Sequence, residues 1–205
     1  MARQAPGFSP GSRARPAIAG LVPQGLDFAF ALPYKPVMDC TKTLRLRIKD
    51  KHAKVLCQMA REVNQVWNHI NAVSAKAARP FHGKPRFLSG YDLQKFTAGF
   101  SKCDGVSVGS GTVQLVCVEY ATRRKQFKKT RLNWRVSNPK SSKYSLGWIP
   151  FKGGHAKYKA GQIHFAGQKF SLWDSYGLAD YELRAGSFSQ DSRGAGISTW
   201  RCKCK

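Results

Sequence analysis

The chain has 205 residues, and its 35 Lys and Arg outnumber 11 Asp and Glu to give a formal net charge of +24. Hydrophobic residues make up 42% and aromatic residues 12%, which is enough for a buried core and excludes a wholly disordered chain. No apolar run reaches the roughly 18–20 residues of a membrane span, so an integral membrane protein is excluded. So large a positive excess strains a compact fold unless a polyanion neutralises it. Composition therefore favours a nucleic-acid partner.

The N-terminal part of the chain changes character near residue 38. Residues 1–38 are rich in Pro, Ala and Gly and follow no period of 2 or 3.6, so we expect a disordered extension. Apolar and polar residues then alternate in Lys42–Lys49. This alternation predicts a half-buried strand with Arg45 and Arg47 on its open, basic face.

Helical periodicity predicts three helices within residues 51–140. Asp50 is placed to cap the first, over residues 52–78, whose apolar stripe advances in steps of three and four. A shorter helix is predicted for residues 90–100. After a Gly- and Ser-rich segment, a third is predicted for residues 112–130.

Residues 141–194 have the composition of short strands separated by turns. Aromatic and β-branched runs predict strands at Tyr144–Ile149, Gln162–Phe165, Lys169–Trp173 and Tyr181–Arg184. Such a pattern is typical of an antiparallel meander or small barrel. Together with the first strand it predicts an α+β fold, in which a small antiparallel β-barrel is split by a helical insertion.

The positive charge is concentrated in one acid-free window. No Asp or Glu occurs from Tyr120 to Trp173, a stretch that contains 13 Lys and Arg. Seven of these cations form a basic tract, and we predict that they contact phosphates: Arg123, Arg124, Lys125, Lys128, Lys129, Arg131 and Arg135. The interleaved aromatic rings suit base stacking. The alternative is a solvated basic face whose aromatic residues pack in the core.

The cysteines and histidines give no indication of a catalytic or metal site. The six cysteines include no C-x-x-C pair, and Cys57 and Cys117 fall in helical patterns as core residues would. We therefore expect reduced cysteines in a cytoplasmic protein. The five histidines lack the spacing of an acid–base pair, so no catalytic residue, metal or cofactor is predicted.

Four regions of the sequence resemble, in order, the N-terminal half of the OrfB/TnpB family. That family comprises RNA-guided DNA nucleases of insertion sequences, related to type V CRISPR effectors. The matching segments are Thr41–Lys49, Val66–Asn71, Thr112–Phe127, and the group Leu146–Lys152, Trp173–Gly177 and Phe188–Gln190. The resemblance covers roughly residues 38–194 and rests on the order of the segments.

This resemblance implies an OB-like wedge barrel, formed by residues 39–50 and 141–194, around a helical recognition lobe in 51–140. The implied partners are a guide RNA and double-stranded DNA next to a short motif. By similarity of position, Gln114, Phe151 and Lys152 would lie near that motif; Gln suits adenine and Lys guanine. A bacterial, nucleoid-associated protein is implied.

The family's nuclease activity resides in a RuvC-type domain that would follow the wedge, so we expect no enzymatic activity from this chain. Residues 195–205 look like a poor continuation of a β domain. A neighbouring reading frame compatible with them encodes an alternating strand, which suggests a frameshift. Two alternatives stay open: a general basic RNA-binding protein, and a non-functional product of a frameshifted transposase gene.

Overall fold

The computed structural model describes residues 41–79 and 86–191, together with the backbone of 196–204. The predicted disordered extension, residues 1–38, lies outside these described residues. The described chain has an α+β fold, in which an antiparallel sheet curls into a half-barrel and three α-helices pack with it. None of the helices described is long and apolar enough to cross a bilayer.

The three predicted helices are confirmed, with altered ends. Helix α1 spans Ala53–Ala77, α2 spans Gly90–Lys95 and α3 spans Ser110–Gln126. Helix α1 buries its predicted apolar stripe, because residues three and four apart share one face. Helix α2 is shorter than predicted, since Gly99 adopts a left-handed conformation with φ of 84° and the chain turns before it.

The capping predictions need one correction. The residue before α1 is His52, which makes no side-chain cap, and Asp50 instead lies in a 3-10 turn and accepts a hydrogen bond from Arg47. A capping box does occur at α2, where the Ser89 hydroxyl accepts from the Asp92 N–H at 3.2 Å and the Asp92 carboxylate accepts from the Ser89 N–H at 3.0 Å.

Seven strands form one sheet in the part of the chain that the structure describes. They are β1 Thr41–Ile48, β2 Trp148–Phe151, β3 Ala156–Lys159, β4 Gln162–Phe165, β5 Gln168–Trp173, β6 Tyr181–Gln190 and β7 Gly196–Cys204. The order across the sheet is β2-β6-β7-β1-β5-β4-β3, and every neighbouring pair is antiparallel. The sequence did not predict β3, which carries only one large apolar residue, Tyr158.

The segment that was expected to continue the β domain poorly forms a central strand. The backbone of β7 pairs with β1 from Thr41 to Arg47 on one side and with β6 on the other. Its sequence contains β-branched and aromatic residues, which favour extended backbone, and both neighbouring strands offer unpaired backbone groups to it.

One hydrophobic core joins the sheet to the helices. The inward side chains of β1, Leu44, Leu46 and Ile48, are buried as their alternation predicts. Rings from β2, β4, β5 and β6 pack against each other inside the half-barrel, with centroids 5.0–5.6 Å apart. The core thus fixes α1 and α3 relative to the strands.

Candidate nucleic-acid interface

The basic tract begins in the last turn of α3. The helix is terminated by a lysine whose backbone has the left-handed conformation. Lys128 has φ of 51°, the conformation that glycine adopts at most helix ends of this kind. Its N–H donates to the Lys125 carbonyl at 3.2 Å, and the Lys129 N–H donates to the Arg124 carbonyl at 3.2 Å. This pair of hydrogen bonds is a Schellman motif. It turns the chain so that Lys125, Lys128 and Lys129 border one groove.

This lysine groove, of about 630 Å³, runs between the start of α2 and the end of α3. One wall is the segment Phe87–Gly90 and the other is formed by Ala121, Thr122, Arg124, Lys125, Lys128 and Lys129. Phe87 is 55% exposed, and the three lysines are exposed. The groove therefore combines an aromatic surface with a cationic rim.

Arg124 lies at the floor of the lysine groove and is buried, with only 6% of its surface exposed. Its guanidinium donates to the Ser74 hydroxyl and, at 2.6 Å, to the Leu88 carbonyl, and it lies 5.3 Å from the centroid of the Phe87 ring. Burial lowers the pKa of Arg124. Its donors hold α1 and the segment before α2 against α3, and a direct contact of Arg124 with phosphate stays a prediction.

The second half of the basic tract is an extended segment, residues 131–137, that runs alongside α1. We call this segment the strap. Two asparagines of α1 bind its backbone through both atoms of their amides. Asn68 donates to the Arg135 carbonyl at 2.8 Å and accepts from the Arg135 N–H at 2.9 Å. Asn71 does the same with Leu132, at 2.8 and 3.1 Å. We call this pair of bidentate contacts the asparagine ladder.

The asparagine ladder is extended at both ends. The Tyr120 hydroxyl donates to Asn71 Oδ1 at 3.0 Å, which connects the ladder to α3. Asn64, one helical turn before Asn68, donates to the Ser137 hydroxyl at 3.0 Å. Because Asn64, Asn68 and Asn71 are spaced by four and three residues, their amides lie along one face of α1. The strap is therefore held by these side chains together with one backbone bridge, between Val136 and Tyr144.

Arg135 is the strap's own anchor. Its Nε donates to Asn64 Oδ1 at 2.6 Å, and its terminal nitrogen donates to the Leu146 carbonyl at 3.0 Å. The guanidinium also lies over the rings of Trp67 and Trp148, at 5.5 and 5.6 Å from their centroids. Burial, followed by the nearby charge of Arg123, lowers the pKa of Arg135. This arginine, too, donates hydrogen bonds within the fold, and its contact with phosphate stays a prediction.

The other predicted arginines are exposed and lie in separate places. Arg123 donates to Glu119 at 2.7 Å, and Arg131 lies over the exposed Trp134 ring at 5.9 Å. On the sheet, Arg45 lies on the outer face of β1 and Arg47 pairs with Asp50 at 3.4 Å.

The three positions suggested by the family resemblance divide into a pair and a core residue. The Lys152 ammonium lies 3.5 Å from Gln114 Oε1, and both side chains are exposed, so the structure brings these two together. Phe151 is buried at 1% exposure among Phe165 and Phe188. Its ring packs inside the half-barrel while Lys152, just after the strand, is exposed, and the place of Phe151 next to DNA stays a prediction.

Sequence reasoning missed Phe87 and the asparagine ladder. Nothing local marks Phe87, because it lies in an irregular segment between two helices. The ladder had a signal: three asparagines at helical spacing beside a buried stripe, where asparagine is neither a strong helix former nor a core residue. Such a set predicts polar contacts to a neighbouring segment.

Comparison of the chain with protein-family models and with curated proteins finds no match.

Proposed function

We propose that this chain binds nucleic acid and that the lysine groove is its principal contact surface. The observation that supports this most directly is the convergence of three exposed lysines and an exposed aromatic ring on one groove. Ammonium groups neutralise backbone phosphates, and aromatic faces stack on bases. The sequence around α3 supplies no acid after Glu119 until Asp174; Asp92 of α2, whose carboxylate accepts hydrogen bonds from Ser89 of the groove wall, sets one negative charge against the three lysines.

Following the resemblance to the OrfB/TnpB family, we propose a guide RNA and a motif-bearing DNA duplex as the partners. The half-barrel would be the OB-like wedge, and the helices between β1 and β2 would be the recognition lobe. Support for this comes from the element order and from the pair Gln114 and Lys152, whose residue types suit adenine and guanine. The proposal assigns binding, and no catalytic step, to these residues.

The backbone at Lys128 supports a ligand-binding role for its ammonium group. A non-glycine residue in the left-handed region costs about 1 kcal/mol or more, and glycine would adopt it freely. Lysine at this position therefore sacrifices stability while placing a cation on the rim of the groove. Ala160 and Ala166, in the turns on either side of β4, have the same conformation, so it is the position of the Lys128 ammonium on the groove that carries this argument.

A salt titration tests the groove. In a variant with Lys125, Lys128 and Lys129 all replaced by alanine, RNA affinity should fall, and the slope of log affinity against log salt should decrease by about 2–3 because three phosphate contacts are lost. The matched control replaces three exposed lysines of the α1 region, Lys51, Lys54 and Lys76, which makes the same change in charge away from the groove. An equal loss in both variants would refute the groove as the contact surface.

Sequencing of the RNA that co-purifies with the full chain tests the proposed partner. The family-based proposal expects one structured RNA to dominate. A broad sample of cellular RNA with the same groove dependence would instead support the general RNA-binding alternative. Binding of no nucleic acid at all would overturn both.

A further inference from the structure

The floor of the lysine groove holds a buried cation without a carboxylate partner. Neither of the two ion pairs among the described residues includes Arg124, whose hydrogen-bond acceptors are the neutral Ser74 hydroxyl and Leu88 carbonyl. A buried charge that lacks a counter-ion is costly, and its field extends into whatever lies above it. An anion bound in the groove would compensate this charge together with those of the three rim lysines.

The wall of the groove adds a fixed aromatic surface. The Phe87 ring lies against the Arg124 guanidinium at 5.3 Å, and this cation–π contact holds the ring at the groove while 55% of its surface stays exposed. Exposed phenylalanine is not unusual by itself. Here, however, the ring lies in the same groove as Lys125, Lys128 and Lys129.

The size of the groove limits its occupant. Its volume of about 630 Å³ lies within the range of sites for small molecules and cofactors, and it is lined by a few residues from two chain segments. A groove with these dimensions suits one nucleotide with its adjoining phosphates better than the face of a duplex, whose paired bases are unavailable to an aromatic side chain.

We propose that the lysine groove captures a single unpaired nucleotide of a nucleic-acid strand. The base stacks on the outer face of Phe87, and the flanking phosphates lie against Lys125, Lys128 and Lys129. Arg124 contributes its field from beneath and positions the ring. This inference rests on the proposed nucleic-acid binding and specifies its form: the site is selective for single-stranded segments, loops or bulges.

A short oligouridylate and an abasic oligomer with equal phosphate count separate stacking from charge, and an RNA duplex of the same strand length tests whether the base must be unpaired. The test variant is Phe87→Ala, and Phe87→Trp keeps an aromatic face. Phe96→Ala is the matched control, because Phe96 is 53% exposed and lies outside the residues that line the groove.

Phe87→Ala should weaken oligouridylate binding about 10-fold, the loss of one base–aromatic stack, and leave binding of the abasic oligomer and the duplex unchanged. Phe87→Trp should retain wild-type affinity, and Phe96→Ala should have no effect. Equal losses on all three ligands, or none on oligouridylate, would overturn the single-nucleotide site and leave the proposed function intact. If the wild-type chain bound none of the three, the proposed function would fail as well.

Discussion

Arg124 is buried and Arg135 is half-buried, whereas Lys125, Lys128 and Lys129 of the same tract are exposed. Each arginine donates to carbonyl, hydroxyl or amide oxygens and contacts aromatic rings, for which the planar guanidinium is suited. The lysines border an open groove. A run of like charges therefore contains two arginines that hold segments of the fold together, Arg124 and Arg135, and three lysines that face an open groove.

This difference bears on how basic proteins are interpreted. The net charge of +24 counts every cation equally, although Arg124 and Arg135 of this tract donate hydrogen bonds to acceptors within the fold. Mutation of the arginines should change stability first, and mutation of the lysines should change binding first. The following predictions test that separation.

The largest effect is expected for Arg135→Ala. This substitution removes donors from Asn64 and Leu146 and the cation from between Trp67 and Trp148, so the free energy of unfolding should fall by about 3 kcal/mol. Denaturant unfolding measures it. Arg135→Lys keeps the charge but not the planar fork, and should recover only part of the loss. Full stability in the alanine variant would remove the distinction between arginines and lysines.

The asparagine ladder should rank next. Asn71→Ala leaves the Leu132 N–H and carbonyl and the Tyr120 hydroxyl without their partner, which should cost about 2 kcal/mol of unfolding free energy. Gln65→Ala, an exposed change on the same helix, should cost less than about 0.5 kcal/mol. If the two variants unfolded at the same denaturant concentration, the ladder would not be what holds the strap.

Lys128→Gly should move stability and binding in opposite directions. Glycine relieves the left-handed strain, so the unfolding free energy should rise by about 0.5–1 kcal/mol, whereas RNA affinity should fall because one phosphate contact is lost. Lys128→Ala loses the same contact but keeps the strain, and so separates the two effects. A glycine variant that bound RNA as tightly as wild type would place Lys128 outside the interface.

The smallest effect is expected from a change of pH, which should alter the stability of the fold and leave RNA binding by the groove unchanged. His52 accepts a hydrogen bond from the Ser171 N–H at 3.0 Å, and burial, followed by the charge of Lys51, lowers the pKa of His52. Its contribution to stability is complete above the unfolded pKa of about 6.5 and declines as pH falls through the lower folded value. Thermal unfolding should therefore show a mild acid-side loss.

His52→Gln supplies an acceptor that does not titrate, so this variant should show a flatter acid side than wild type. RNA affinity measured over the same range should not follow the His52 transition, because His52 is hydrogen-bonded to β5 and lies outside the residues that line the groove. A binding curve that changed together with stability would mean that the groove and the sheet are coupled.

Local patterns predicted the helices and most strands, because the period of the apolar residues along a segment indicates which face of a helix or strand is buried. The apolar stripe expected on α3 was Val113, Cys117, Tyr120 and Phe127; the first three are buried, but Phe127 is 56% exposed, and Arg124, four residues after Tyr120, continues the buried stripe instead. Its charge, however, suggested a surface position. The C-terminal end of α3 was predicted too late, because the left-handed residue that ends this helix is Lys128 and not the glycine that usually marks such an end.

The features that escaped prediction depend on contacts between distant segments. Strand β7 pairs with β1, which lies more than 150 residues earlier in the chain, and Asn71 meets Leu132 across 61 residues. The lysine groove likewise requires Phe87 to meet the end of α3. No periodicity within one segment indicates such a meeting. Asp174 shows the opposite case, a local contact: it accepts hydrogen bonds from the N–H groups of Tyr176 and Leu178, two and four residues later.

The asparagine ladder depends on the number of residues between its two backbone contacts and not on the side chains of those residues. Its amides bind the backbone of Leu132 and Arg135, so one residue inserted between these two would put the strap out of step with α1. Substitution of the exposed Asn133 or Trp134 side chains between them would leave every rung in place. The strap is thus a position where surface chemistry can diversify at constant geometry, and where a single codon gained or lost would be far more damaging than a codon changed.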